Sequence, residues 1–244
     1  MRRYLLPLVL FCLTVLSTLF AGALQKGLNP ISDVKNLLAG VPFSLSLMSI
    51  LLAHEFAHFF ASKFNRVEAT LPHFIPVPSI IGTFGAFIKM KSPIVTRKAL
   101  VEIGASGPLA GFVVALFVSA YGLSLSEVVA VKDTGAGLVL GDSIVFKGLS
   151  WLILGNIPEG KDVLLHPVAF AGWIGMFVTA MNLLPIGQLD GGHIAYALLG
   201  PKLHRNLSFS LATILGFTGA MKVLFYMDSF KGPLFDLLRD NLWE

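Results

Sequence analysis

The chain has 244 residues, 55% hydrophobic and only 13% charged, with a mean hydropathy of +0.78. A soluble domain of this length carries about twice that charge, which excludes an ordinary water-soluble globule. The net charge of +4 is spread in patches, excluding the contiguous basic face of a nucleic-acid binder, and a single cysteine, Cys12, excludes an internal disulfide or a thiolate metal site.

Several separate apolar runs reach membrane-spanning length, so the fold class is an all-α polytopic membrane protein of about five to six transmembrane helices. With no repeat, low-complexity tract or soluble domain in view, residues 1–244 are read as one membrane-embedded domain. Residues 1–24 place Arg2 and Arg3 before an apolar run ending Ala21-Gly22-Ala23. That ending has the form of a signal-peptide cleavage site, but the run is long for a signal, so an uncleaved first helix is preferred. Either way the arginines keep the N-terminus cytoplasmic. Residues 25–40 follow as a short external loop with Gly27, Asn29 and Pro30.

Val41–Phe64 is a second spanning helix, almost wholly apolar, yet it carries His54-Glu55-Phe56-Ala57-His58. Ionisable groups are costly in hydrocarbon and their presence there points to function. On a helix His54 and His58 lie one turn apart on one face, where both imidazoles reach one tetrahedral metal. Glu55 stands beside them, suited to take a proton from an attacking water. Lys63, Arg66, Lys89, Lys91, Arg97 and Lys98 follow as the densest basic stretch, which puts this end of the helix on the cytoplasmic side.

Residues 71–93 are apolar but broken by Pro72, Pro76, Pro78, Gly82, Gly85 and Pro93, so they do not form a regular spanning helix. The 80–90 stretch is β-branched, aromatic and glycine-containing, which predicts a bent strand or hairpin. Irregular backbone at membrane depth must face protein or a wet cavity, so the segment is expected to be re-entrant; an amphipathic interfacial loop is the alternative. Its residues Ile80, Ile81, Gly82, Thr83, Phe84 and Gly85 are expected to offer backbone hydrogen bonds to an extended substrate.

Residues 99–123 form a third span, in which Gly107 and Gly111 make a small-residue face for close helix packing. Glu102, near its start, is a rival metal ligand. Residues 124–166 read as an external polar loop, with Ile144–Leu154 lying on the membrane surface as a short helix. Residues 167–192 read as a broken helix, because Pro185 stops it near Leu184 and Gly187, Gly191 and Gly192 allow a tight non-helical return. Asn182 and Asp190 lie at that break. A last span is expected over 207–227, preceded by Lys202, His204 and Arg205 on the cytoplasmic side, with an external tail over 228–244.

The HExxH helix and Asp190 come from spans that end on the same side at similar depth. Asp190 is therefore the best third ligand beside His54 and His58, leaving the fourth position that a catalytic zinc needs. Among the other histidines, His193 and His73 are read mainly as structural, and His166 and His204 as solvated at membrane boundaries.

HEFAH on an apolar helix together with NLLPIGQLDGG on a later one resembles the site-2 protease family of intramembrane zinc metalloproteases. These segments match that family's HExxH and N-x-x-P-x-x-x-x-D-G patterns at every defining position. GASGPLAG and FIPVPSIIGTFGAFIKMKSP are similar to its Gly-rich helix start and membrane-associated hairpin. The latter, with HPVAFAGWIGMFVTAMNLLP, is similar to the branch with plastid and prokaryotic members. The resemblance implies one Zn2+ per chain on His54, His58 and Asp190, Glu55 as catalytic base, and Asn182 as a residue that holds or polarises the scissile peptide. It implies cleavage of transmembrane protein substrates within the lipid bilayer, often after another protease has trimmed them outside. The chain is expected to lack the PDZ and CBS domains of many members. A metal-ion transporter and a non-catalytic binder of transmembrane segments are the alternatives.

Overall fold

The computed structural model describes residues 2–130, 140–141 and 143–229. The chain is mostly helical, in the order α1 (Arg2–Gln25), α2 (Val41–Phe64), β1 (His73–Pro76), β2 (Thr83–Phe87), α3 (Arg97–Ser124), β3 (Glu127–Ala130), α4 (Ile144–Leu154), β4 (Lys161–Leu164), α5 (Pro167–Asn182), α6 (Asp190–Leu199) and α7 (Pro201–Ser229). Among the described residues three helical stretches are long and apolar enough to cross a membrane: Tyr4–Gln25, Val34–Phe64 and Arg97–Ser124.

The ends of these helices follow local chemistry. Pro42 opens the first turn of α2, where no amide partner is needed. Thr96 caps α3 by accepting from the Ala99 amide at 3.1 Å, and Ser143 caps α4 through the Phe146 amide at 3.4 Å. The loop expected over 25–40 is not irregular throughout: Val34–Gly40 is a 3-10 helix, capped by Asp33, that runs directly into α2. Residues 124–166 are likewise more than a loop. β3 and β4 pair antiparallel with Glu127 opposite Leu164, a pairing between segments too distant in sequence for local periodicity to reveal. The expected tail beyond residue 229 lies outside the described residues.

One packed core joins α1, α2, β1 and α5 through Ala21, Phe43, Leu47, Met48, Leu51, Phe74, Ala171 and Ile174. A smaller cluster of Ile50, Ala115 and Met176 joins α2, α3 and α5. Close crossings use small residues, as expected where lipid supplies no hydrophobic drive between helices. A Cβ on Gly122 would overlap the Ala169 amide, and one on Gly40 would overlap the Leu19 carbonyl. The Thr18 and Ser44 hydroxyls meet at 2.7 Å between α1 and α2, a buried interhelical bond worth about 0.6 kcal/mol in a membrane setting.

These contacts fix how the helices alternate. The end of α1 meets the start of α2 at Gly40, and Ser126 just past α3 accepts from the His166 amide at the start of α5, at 3.0 Å. At the opposite end the last turns of α2 lie against the first turns of α3, where His58 meets the Ile103 carbonyl. The β1–β2 hairpin packs on α1, with Phe11 and Phe74 edge to face at 5.4 Å.

Candidate metal centre

The half of α2 that meets α3 carries three buried ionisable residues, His54, Glu55 and His58, at 6%, 5% and 5% exposure. α5 stops at Asn182, before Pro185, as the proline requires, and a turn over 183–189 returns the chain so that α6 begins with Asp190. This return brings the Asp190 carboxylate between the two imidazoles. Its Oδ2 is 3.2 Å from His54 Nε2 and its Oδ1 is 3.2 Å from His58 Nε2, while the two Nε2 atoms stand 3.1 Å apart. His54, His58 and Asp190 are the one group among the described residues arranged to share a metal ion, with ligand atoms all within 4.8 Å of one another.

The surroundings fit that role. His58 Nδ1 lies 2.7 Å from the Ile103 carbonyl of α3. A carbonyl only accepts, so the ring carries its proton on Nδ1 and presents the Nε2 lone pair to the cluster. Two imidazoles and one carboxylate, without sulfur, form a catalytic zinc donor set. Glu55 is 5% exposed and makes no hydrogen bond or ion pair within 4 Å among the described residues, so its carboxylate stands uncommitted beside the two histidines.

Two glycines leave room for the ligands. A Cβ on Gly107 would overlap His58 Nε2 itself, and one on Gly111 would lie 3.1 Å from His54 Nδ1. The small face expected for helix packing thus packs against His54 and His58. Gly191 and Gly192 differ from expectation. They are not turn residues but the first turn of α6, and added Cβ atoms would overlap the Leu183 and Gly187 carbonyls respectively. Gly187 alone adopts a positive φ in this stretch, +53°.

The other named residues separate. Glu102 pairs with Lys98 at 3.6 Å on the surface, away from the cluster. Asn182 is the last residue of α5, half-buried, and its amide has no hydrogen bond among the described residues. His193 is exposed on α6, and His73 stacks on Phe87 in the hairpin at 5.6 Å. Of the hairpin residues, Gly82 and Thr83 are buried, Gly82 accepting from the Ser17 hydroxyl at 2.6 Å. The Ile80 carbonyl accepts from Gln25 at 3.0 Å, Ile81 is half-buried, Phe84 is exposed and Gly85 faces open space.

With this geometry in view, comparison with known families is decisive: the model of peptidase family M50 matches residues 42–226. The chain belongs to peptidase family M50. This is the site-2 protease family that its two motifs resemble. The relatives it resembles include the rice (Oryza sativa subsp. indica) protein named probable zinc metalloprotease EGY2, chloroplastic, at 32% identity over 206 residues, covering 82% of this chain and 37% of the rice protein. The Arabidopsis thaliana protein named probable zinc metalloprotease EGY1, chloroplastic, is 33% identical over 242 residues, covering 88% of this chain and 43% of that protein. The chain thus spans about two fifths of the length of the curated relatives it matches. Both relatives are named as probable zinc metalloproteases, and in this chain His54, His58 and Asp190 are the residues grouped closely enough to hold a metal ion.

The Ile103 carbonyl and the glycine contacts were not legible as site features in the sequence. The i, i+4 spacing of Gly107 and Gly111, matching that of His54 and His58, was the available signal.

Proposed function

We propose that the protein is an intramembrane zinc metalloendopeptidase that hydrolyses peptide bonds in or near transmembrane segments of membrane proteins. His54, His58 and Asp190 hold one zinc ion per chain, and Glu55 is the general base. The observation that carries this reading is the convergence of Asp190 on the HExxH pair with Glu55 buried beside them and unpaired. When bound, zinc supplies a Lewis acid that makes water nucleophilic near neutral pH and polarises the peptide carbonyl.

The chain's own residues do the rest. Glu55 takes the proton from water as it attacks the carbonyl carbon, then delivers it to the departing amine. The free amide of Asn182 donates a hydrogen bond to the carbonyl oxygen as that atom gains charge. A substrate helix must unwind before its peptide groups can react, because helical hydrogen bonds occupy them. The hairpin supports the opened strand through the exposed Phe84 and the open Gly85, while Ile80 and Gly82 tie it to α1, Ile81 packs on the core and the Thr83 hydroxyl holds its bend.

In this reading α1, α2, α3, the broken α5–α6 pair and α7 cross the bilayer, and the hairpin is re-entrant. The N-terminus and the mouth of the site face the cytoplasm, supported by the basic residues from Lys63 to Lys98 at the site end. Substrates include proteins already trimmed by another protease.

The test is zinc content and cleavage in detergent. Wild type is expected to hold about one zinc per chain and Asp190→Ala to lose most of it. Glu55→Gln is expected to keep zinc and lose cleavage of a transmembrane substrate by at least about 100-fold. Cleavage at wild-type rate by Glu55→Gln would remove the general-base assignment, and zinc retained by Asp190→Ala would move the third ligand elsewhere.

A further inference from the structure

We propose that Ser208, on α7, is a positioning residue for Asp190: it clasps the turn that delivers Asp190 to the metal centre. The inference rests on the assignment of Asp190 as a metal ligand.

The turn over 183–189 supplies part of its own hydrogen bonding, Ile186 amide to Leu184 carbonyl at 2.8 Å and Leu189 amide to Ile186 carbonyl at 3.1 Å. The Pro185 carbonyl and the Gly187 amide have no backbone partner among the described residues. Ser208 Oγ meets both, 3.1 Å from the Pro185 oxygen and 3.2 Å from the Gly187 nitrogen, and it lies 3.1 Å from His204 Nε2. A hydroxyl has one proton and two lone pairs. The carbonyl only accepts and the amide only donates, so the hydroxyl proton goes to Pro185, one lone pair takes Gly187 N–H, and the other takes a proton from His204 Nε2. One set of directions satisfies all three groups. His204 and Ser208 are one turn apart on α7, and the rings of His204 and Tyr196 meet edge to face with centroids 5.7 Å apart.

The clasp is coupled stiffly to the ligand. Gly191 and Gly192, the residues after Asp190, press on the Leu183 and Gly187 carbonyls so closely that neither has room for a Cβ. A shift of the turn is therefore a shift of Asp190. Gly200, at φ +79°, and Pro201 reverse the chain between α6 and α7, which lets Ser208 reach back to the beginning of α6. From residue 212 to residue 223 the side chains of α7 are exposed. The Ser208 clasp is the polar tie, among the described residues, between α7 and the body that carries the site.

The test uses the full chain in detergent, with zinc affinity read by chelator competition and local opening read by amide exchange of the metal-free protein. Ser208→Ala is expected to weaken zinc by about 10-fold or more, in the range for residues that orient a ligand. It should also speed exchange at Gly187 without speeding it in α2 or α3. Ser208→Thr, which keeps the hydroxyl, should restore most of the affinity, and Ser210→Ala should behave as wild type. Adding His204→Phe to Ser208→Ala should cost little more, because both act through one hydroxyl. Wild-type affinity and exchange in Ser208→Ala would overturn the proposal. So would an affinity loss that Thr does not restore and that comes with faster exchange throughout the bundle. A wild type without zinc, or an Asp190→Ala that keeps it, would instead sink the metal-ligand assignment, and exchange at Gly187 would still decide the clasp.

Discussion

Two features of α3 stand behind His58 of α2. The Ile103 carbonyl holds the tautomer of His58, and Gly107 leaves the volume that its Nε2 fills. Gly107→Ala is expected to displace His58 and remove most of the zinc while the helices stay folded, as zinc analysis beside a thermal melt would show. Gly111→Ala makes a tight contact with His54, at 3.1 Å, that a shift of a few tenths of an ångström relieves, so it should retain more zinc than Gly107→Ala. Equal zinc in the two variants would contradict the geometry. His54, Glu55 and His58 were legible in the sequence because helical spacing is local. What orients them was not, because a backbone carbonyl carries no signature in side-chain identity.

Among the elements, the hairpin and the break before α6 were visible as clusters of proline and glycine, which remove amides and permit unusual dihedrals. The structure pairs His73–Pro76 with Thr83–Phe87 and ties their connection to α1 through Ser17 and Gln25. Phe84→Pro is expected to slow cleavage severalfold through the lost backbone donor, with zinc unchanged and with Phe84→Ala as the side-chain control. Identical kinetics in the proline and alanine variants would separate the β2 backbone from substrate binding.

At the start of α5, His166 Nδ1 accepts from the Val168 amide at 3.3 Å. Burial, then the nearby Lys26, hold its pKa below the usual 6.5. A depressed histidine is neutral in both states above its unfolded value, so its contribution to stability is complete there. That contribution falls as pH drops through 6.5 towards the folded value. Thermal midpoints of wild type and His166→Asn, which caps without titrating, should diverge below about pH 6.5, the wild type falling faster. Parallel curves would exclude this cap as a source of acid sensitivity.

For the whole molecule, antiparallel alternation of α1, α2, α3 and α5 carries the His54–His58–Asp190 cluster at one end and the β3–β4 pair at the other. With Cys12 as the single cysteine, a Cys12→Ser background accepts single reporters cleanly. Cysteines at the exposed positions Lys98 and Glu159 are expected to react with a membrane-impermeant maleimide from opposite faces, Lys98 from the cytoplasmic one. Reaction of both from one face would rule out the proposed crossing.

By itself the sequence determined a membrane-embedded helical chain, a histidine pair on one helix face, and a helix broken ahead of Asp190. Each depends on hydropathy, the helical repeat or proline geometry, and all of these act over a few residues. Topology and motif already named Asp190 as the partner of His54 and His58; tertiary structure alone decided the distances at which they meet, that Glu102 stays apart, and that α3 glycines and a serine of α7 stand behind the cluster. Those outcomes depend on which helix faces meet and how closely. That is set by the summed packing of segments far apart in the chain, and no local pattern encodes it.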